Sequence, residues 1–185
     1  LKNGKLFPFK GPNFIYFDST SYLDKHAFTH EKVHHAVLST YQQFETILPG
    51  FEFGLMECSN EHGGKIWPHR THQNGLSVDF MSPLLKNGVS NTDFNTTGLP
   101  HYLMDFDENG VYKEDPSYSI DFNLIARHIL TLIWEWLTVK KAKINFAKLS
   151  EELEAITPEI SHYDIFGVYP AVDCATALDM MLSGI

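Results

Sequence analysis

The stretch Gly63-Gly64-Lys65-Ile66-Trp67-Pro68-His69-Arg70-Thr71-His72-Gln73-Asn74-Gly75-Leu76-Ser77-Val78-Asp79-Phe80 decides how this chain is read. It opens on a Gly-Gly turn, passes two histidines three residues apart, and ends in the alternating run Leu76 to Phe80. Period-two alternation predicts a half-buried strand, with Leu76, Val78 and Phe80 on one face and Ser77 and Asp79 on the other. Asp79 would then project away from the apolar face, with His72 held by the loop just before it. An imidazole and a carboxylate converging on a strand edge suit a divalent zinc ion, with room left for a third ligand and a water. The same residues also fit a solvated strand aspartate and two ordinary loop histidines. Spacing alone does not choose between the two.

Outward from that stretch, 185 residues with 43% hydrophobic and 14% aromatic content predict a globular chain with a proper core, most simply one domain over residues 1–185. A net charge of -9 argues against nucleic acid or an anionic membrane surface as the main partner. No apolar run reaches the length of a membrane span; Ile129–Leu137 comes nearest, but it is short and contains Glu135. The chain begins at Leu1 rather than Met and shows no signal peptide, so it reads as processed, with any export signal already removed. Cys58 and Cys174 permit one disulfide or two buried thiols.

The flanking segments predict an α+β fold, a small, mostly antiparallel sheet with helices packed on one side. Leu1–Phe17, punctuated by Pro8, Gly11 and Pro12, reads as a covering segment with one short strand. Thr29–Leu48 reads as a helix capped by Thr29, with Val33, Val37, Tyr41, Phe44 and Leu48 as its apolar stripe and Pro49-Gly50 as its stop. Its first turn, His30-Glu31-Lys32-Val33-His34, matches the His-Glu-x-x-His pattern of zincins, but it lies in a fraying turn and reads better as solvated. Phe51–Glu57 alternates like a strand. Ser82–Ser119 is a long polar excursion, with a hairpin expected at Asn109-Gly110. Asp105, Asp107 and Asn109 imitate a calcium loop whose twelfth position is Pro116 rather than Glu, so the hairpin is preferred. Ile120–Val139 reads as a central core helix capped by Ser119 or Asp121, with His128 inward as a satisfied core histidine. A third helix is expected over Asn145–Ile156.

From His72 to Asp79 the chain resembles the signature of the penicillin-insensitive murein endopeptidases, zinc peptidases of the LAS group. That signature is a His, then Gln-x-Gly-Leu, then an Asp seven residues after the His, with a second His three residues upstream, here His69. The likeness runs over about residues 28–132. It implies a LAS-peptidase-like fold, zinc on His72 and Asp79, and His69 close to the metal. It further implies an exported, for example periplasmic, enzyme that hydrolyses the peptide cross-links of peptidoglycan.

The family takes its third ligand from a late His-x-His pair, which this sequence lacks. Glu159-Ile160-Ser161-His162 offers the Glu-x-x-His arrangement of other LAS-type peptidases instead. His162 would then be the third ligand, in a β-prone run, His162–Phe166, that could lie beside Asp79. Glu159 or His69 would accept the proton. Glu159 and His162 have opposite strand parity, so a bulge or turn near Pro158 would be required. The missing His-x-His also supports an alternative, a non-catalytic relative that binds cell-wall peptide or a protein partner.

Overall fold

The structure is a computed structural model that describes residues 4–67, 69–140 and 171–173. In chain order its elements are β1 (Lys5–Leu6), β2 (Lys10–Gly11), β3 (Phe14–Tyr16), α1 (Ser19–Leu23), β4 (Phe28–Thr29), α2 (Glu31–Ile47) and β5 (Phe53–Leu55). They continue with β6 (Asp79–Met81), β7 (Leu84–Lys86), β8 (Val89–Asn91), α3 (Leu99–Tyr102), β9 (Tyr118–Ile120), α4 (Phe122–Lys140) and β10 (Ala171–Asp173). The α+β class holds, with the strands divided among three small sheets: β1-β4, β10-β6-β5-β3-β2 and β8-β7-β9. All pairings are antiparallel except β3 with β5. Among the described residues no helix is long and apolar enough to cross a membrane.

The N-terminal segment is more than a cover. β3 lies inside the five-stranded sheet, where Phe14 and Tyr16 are buried and register with Phe53 and Leu55. Helix α2 forms where the apolar spacing put it, and Val33, Val37, Tyr41 and Phe44 are its buried stripe. Its cap is His30 rather than Thr29. Thr29 is fully buried and paired with Lys5 in the β1–β4 ladder, so it cannot turn to the helix end. His30 Nδ1 accepts from the Lys32 N–H at 3.2 Å, and Glu31 sits in the first turn, where the helix dipole favours a negative charge. Helix α4 starts at Phe122 because Ile120 belongs to β9, opposite Leu84; Asp121 Oδ1 caps it by accepting from the Leu124 N–H at 2.9 Å.

Helices α2 and α4 pack on each other, and their rings meet one face of the five-stranded sheet. Tyr41 lies 5.6 Å from Phe53, and Phe44 lies 4.8 Å from the same ring, edge to face. His128 of α4 sits among them, stacked on Phe53 at 4.6 Å and edge-on to Phe80 at 4.9 Å. It is a core histidine, as expected, but its buried Nε2 has no hydrogen-bond partner among the described residues. Burial pushes its pKa down to about 3. On the opposite face of the sheet Gly54 lies under Met81, and a Cβ at Gly54 would come within 2.8 Å of the Met81 Cβ.

The excursion after β6 is ordered. It builds a hairpin at Asn87-Gly88, where both residues adopt positive φ, and a second core of Leu84, Met104, Tyr118, Ile120 and Ile125. The expected turn at Asn109-Gly110 is present as well. Phe106 bridges Tyr112, and Asp107 Oδ1 accepts from the N–H groups of Asn109 and Val111 at 2.9 and 2.8 Å. The expected helix at Asn145–Ile156, the run His162–Phe166 and Cys174 lie outside the described residues. The described strand that borders β6 on that side is Ala171–Asp173, with Asp173 in register with Asp79.

Two stability outcomes follow from this packing. Gly54→Ala is expected to destabilise the fold by about 1–3 kcal/mol, because the Met81 Cβ is too close to the backbone to swing aside; chemical denaturation measures it. His128 takes up a proton in the unfolded chain below its ordinary value of about 6.5 but stays neutral in the fold down to about 3. Stability is therefore full above roughly pH 6.5 and falls as the pH drops toward 3. His128→Phe should flatten that acid limb and leave the melting temperature at pH 7 equal or higher, read from thermal melts across a pH series.

Candidate metal centre

The centre forms where β5 and β6 run out of regular pairing. Leu55 registers with Phe80, which turns Phe80 to the aromatic core and the adjacent Asp79 to the other face. Just beyond, the Met56 N–H donates to Asp79 O at 2.8 Å while the Asp79 N–H donates to Glu57 O at 3.0 Å. Two residues of one strand thus oppose one residue of the other, which is the hydrogen-bond pattern of a β-bulge. The bulge shifts the side-chain alternation, so Glu57 comes to the same side as Asp79. A bulge was expected near Pro158; the described one lies here.

The loop that brings the histidines back to this edge is held by its own backbone. The Gly64 N–H donates to Gln73 O at 2.9 Å, closing the loop, and the Leu76 N–H donates to Asn74 Oδ1 at 3.0 Å. Gly75 takes φ +75°, and its carbonyl accepts from the His30 N–H at 2.8 Å, which ties the loop to the start of α2. Because of these ties the regular strand begins only at Asp79, and Leu76 is exposed instead of lying on the apolar face. Ser77 and Asp79 are buried, so the solvated-aspartate reading does not hold.

Three side chains converge. His72 is 2% exposed, with its Nε2 3.1 Å from Asp79 Oδ1. His69 Nδ1 lies 3.9 Å from Asp79 Oδ2, and the two imidazoles meet edge to face at 4.6 Å. One ligand atom from each of His69, His72 and Asp79 lies within 4.8 Å of the other two. Ligands around tetrahedral zinc, at about 2.0–2.2 Å from the metal, stand roughly 3.3 Å apart. The cluster therefore needs only small side-chain adjustments to close on an ion. His72 Nδ1, the ring nitrogen other than the Nε2 that faces Asp79, is buried with no hydrogen-bond partner among the described residues. The residues fit zinc.

Glu57 was not singled out from the sequence, where it appears only as the last residue of an alternating run. Its Oε2 pairs with His69 Nε2, while its Oε1 accepts from Ser21 Oγ at 3.0 Å and lies 3.4 Å from His26 Nδ1. Burial works to raise the Glu57 pKa, but the bonds from His69, Ser21 and His26 outweigh it and hold the carboxyl at about 2. The Glu57 hydrogen bond lifts the His69 pKa above its ordinary value against burial, and Asp79 adds to the lift. Cys58 is a buried thiol, whose pKa is pushed up by burial and by the charges of Asp79 and Glu57.

Other sequence candidates fall elsewhere. His30 caps α2, and His34 Nε2 donates to Leu6 O at 3.1 Å while its ring stacks on Phe7, so the His-Glu-x-x-His match does not form a site. His101 is buried in α3 with Nδ1 3.2 Å from Phe94 O, away from the cluster. Glu159 and His162 lie outside the described residues, where the third potential ligand beside His72 and Asp79 would be; among the described residues that place falls to His69.

Residues 119–185 match the model of a family described as protein of unknown function (DUF416). An uncharacterised protein of Haemophilus influenzae is 51% identical over 59 residues, 32% of this chain and 30% of its own length. The uncharacterised protein YjaG of Escherichia coli is 48% identical over 58 residues, 31% of this chain and 30% of its own, and YjaG of Salmonella typhimurium is 50% identical over 58 residues. The chain spans about a third of the length of these relatives. Neither the matching family nor these relatives carry a peptidase description, and the resemblance to the murein endopeptidases is corrected accordingly: over its last third this chain is similar to a family of unknown function.

Proposed function

We propose that the chain is a zinc-dependent hydrolase of peptide amide bonds, with His69, His72 and Asp79 holding the metal. The observation that carries this reading is the convergence of three ligand atoms within 4.8 Å at a strand edge. Three protein ligands are the usual complement of a catalytic zinc, which keeps its fourth position for water. Bound there, zinc would bring the pKa of its water toward ~7 and polarise the scissile carbonyl. Asp79 offers its carboxylate from the rigid end of β6, and His72 is held by the closed loop. His69 stands at the more open side of the cluster, its Nε2 engaged by Glu57 and its Nδ1 turned to Asp79.

The substrate class, a peptide amide, is the expectation drawn from the sequence; hydrolysis assays on peptidoglycan cross-links and on linear peptides test it. A second reading, a non-catalytic binding module, is favoured by one observation: the sequence contains no His-x-His pair.

Zinc content separates the two. The purified protein should hold about one zinc per chain, and His72→Ala and Asp79→Ala should each lose it while keeping the circular dichroism of the parent. His34→Ala should keep it, since the His34 ring bonds Leu6 O and stacks on Phe7. Parent-like zinc in both site variants, or a zinc-free parent after dialysis against micromolar metal, removes the hydrolase reading.

A further inference from the structure

We propose that Glu57 is the positioning residue of this centre, fixing the His69 imidazole by its Nε2 so that the Nδ1 edge is presented to Asp79 and the metal. The inference rests on the hydrolase reading for its purpose, but its geometry stands on described contacts. A histidine that ligates through one ring nitrogen needs an acceptor on the other to set its tautomer and orientation, and such partners change metal affinity by about 10–100-fold. His69 is the ligand that most needs one. It lies in the loop rather than on the strand, and it is less buried than His72.

Glu57 is itself held from the other side. Ser21 Oγ donates to its Oε1, Tyr16 Oη lies 3.3 Å from Ser21 Oγ, and Tyr16 Oη donates to His26 O at 3.2 Å. This chain runs from β3 and α1 through the bulge to the loop histidine, so the sheet's own framework sets the His69 ring. Both Glu57 oxygens are engaged, Oε2 by His69 and Oε1 by Ser21 and His26. That leaves Glu57 poorly placed to take a proton from water and well placed to orient. The bulge at Met56-Glu57 is what brings it there; regular pairing would have turned Glu57 toward the aromatic core.

The test uses the whole chain and zinc as the probe. Competition with a chromogenic chelator should show Glu57→Ala binding zinc about 10–100-fold more weakly than the parent, and Glu57→Gln, which keeps an acceptor oxygen, recovering much of that loss. In the metal-free proteins, the 15N shifts of the His69 ring should report a proton fixed on Nε2 in the parent and a mixture of states in Glu57→Ala. A merely structural role would not produce that signature at one imidazole. If Glu57→Ala does not fold, Glu57→Leu, which removes the acceptor and keeps the volume, carries the same measurement. His69 ring shifts that stay at parent values overturn the proposal whatever the affinity does. A parent that binds no zinc removes the hydrolase reading alone, because the ring shifts still decide the role of Glu57.

Discussion

Two adjacent residues of β6 meet opposite demands, and the rest of the molecule follows from satisfying both. Phe80 must be dry, and it lies among Tyr41, His128 and the other rings that α2 and α4 press onto the sheet. Asp79 must keep its charge solvated or paired, and it is buried on the other face. A strand supplies this division at no cost because its side chains alternate. The cost falls on the carboxylate, which burial makes expensive unless it is paired or hydrogen-bonded. The loop Gly63–Gly75 answers that requirement by delivering two imidazoles to it.

The same logic extends to Glu57. Two carboxylates on one side of a sheet edge repel each other, and here they are separated by His69, which reaches both. The cluster is a chain of alternating bases and acids, His26–Glu57–His69–Asp79–His72, rather than a set of independent pairs. A divalent cation suits the Asp79 end of that chain, where His72 Nε2 and His69 Nδ1 face the carboxylate. The Glu57 end, already filled by Ser21 and His26, is suited to support.

Much of this was legible in the residues. The stripe Val33, Val37, Tyr41, Phe44 predicted α2, and the Leu76–Phe80 alternation put Asp79 and Phe80 on opposite faces. The stretch itself offered His72 and Asp79 as a possible pair without choosing it over a solvated loop, and His69 joined them only through the family likeness. Other features were hidden for physical reasons. Thr29 is the better cap by propensity, but tertiary pairing with Lys5 claimed it, and a histidine caps instead. Glu57 could not be found by parity, because a bulge exists only once two strands are paired. The turn at Asn87-Gly88 carries as clear a signal as Asn109-Gly110, but it lies inside the polar stretch that reads as one excursion. Family likeness carried the furthest claims, the exported murein enzyme above all, and those are the claims that the similarity to a family of unknown function does not support.

The matched stretch and the candidate site occupy different parts of the chain, since Glu57, His69, His72 and Asp79 all precede residue 119. They nevertheless meet in the fold. Leu124, His128 and Leu132 of α4 come from the matched stretch and complete the core beneath Phe80 and Phe53. β10, from the same stretch, pairs along the whole of β6. On this arrangement the matched stretch packs beneath the cluster, and none of the described clustered side chains comes from it. Without α4 the face of β6 that carries Phe80 would lose its cover, and the alternation that turns Asp79 toward the histidines would lose the apolar burial that enforces it. The chemistry of the centre therefore has to be read from residues 57–79, while its rigidity depends on residues 119–140 and 171–173.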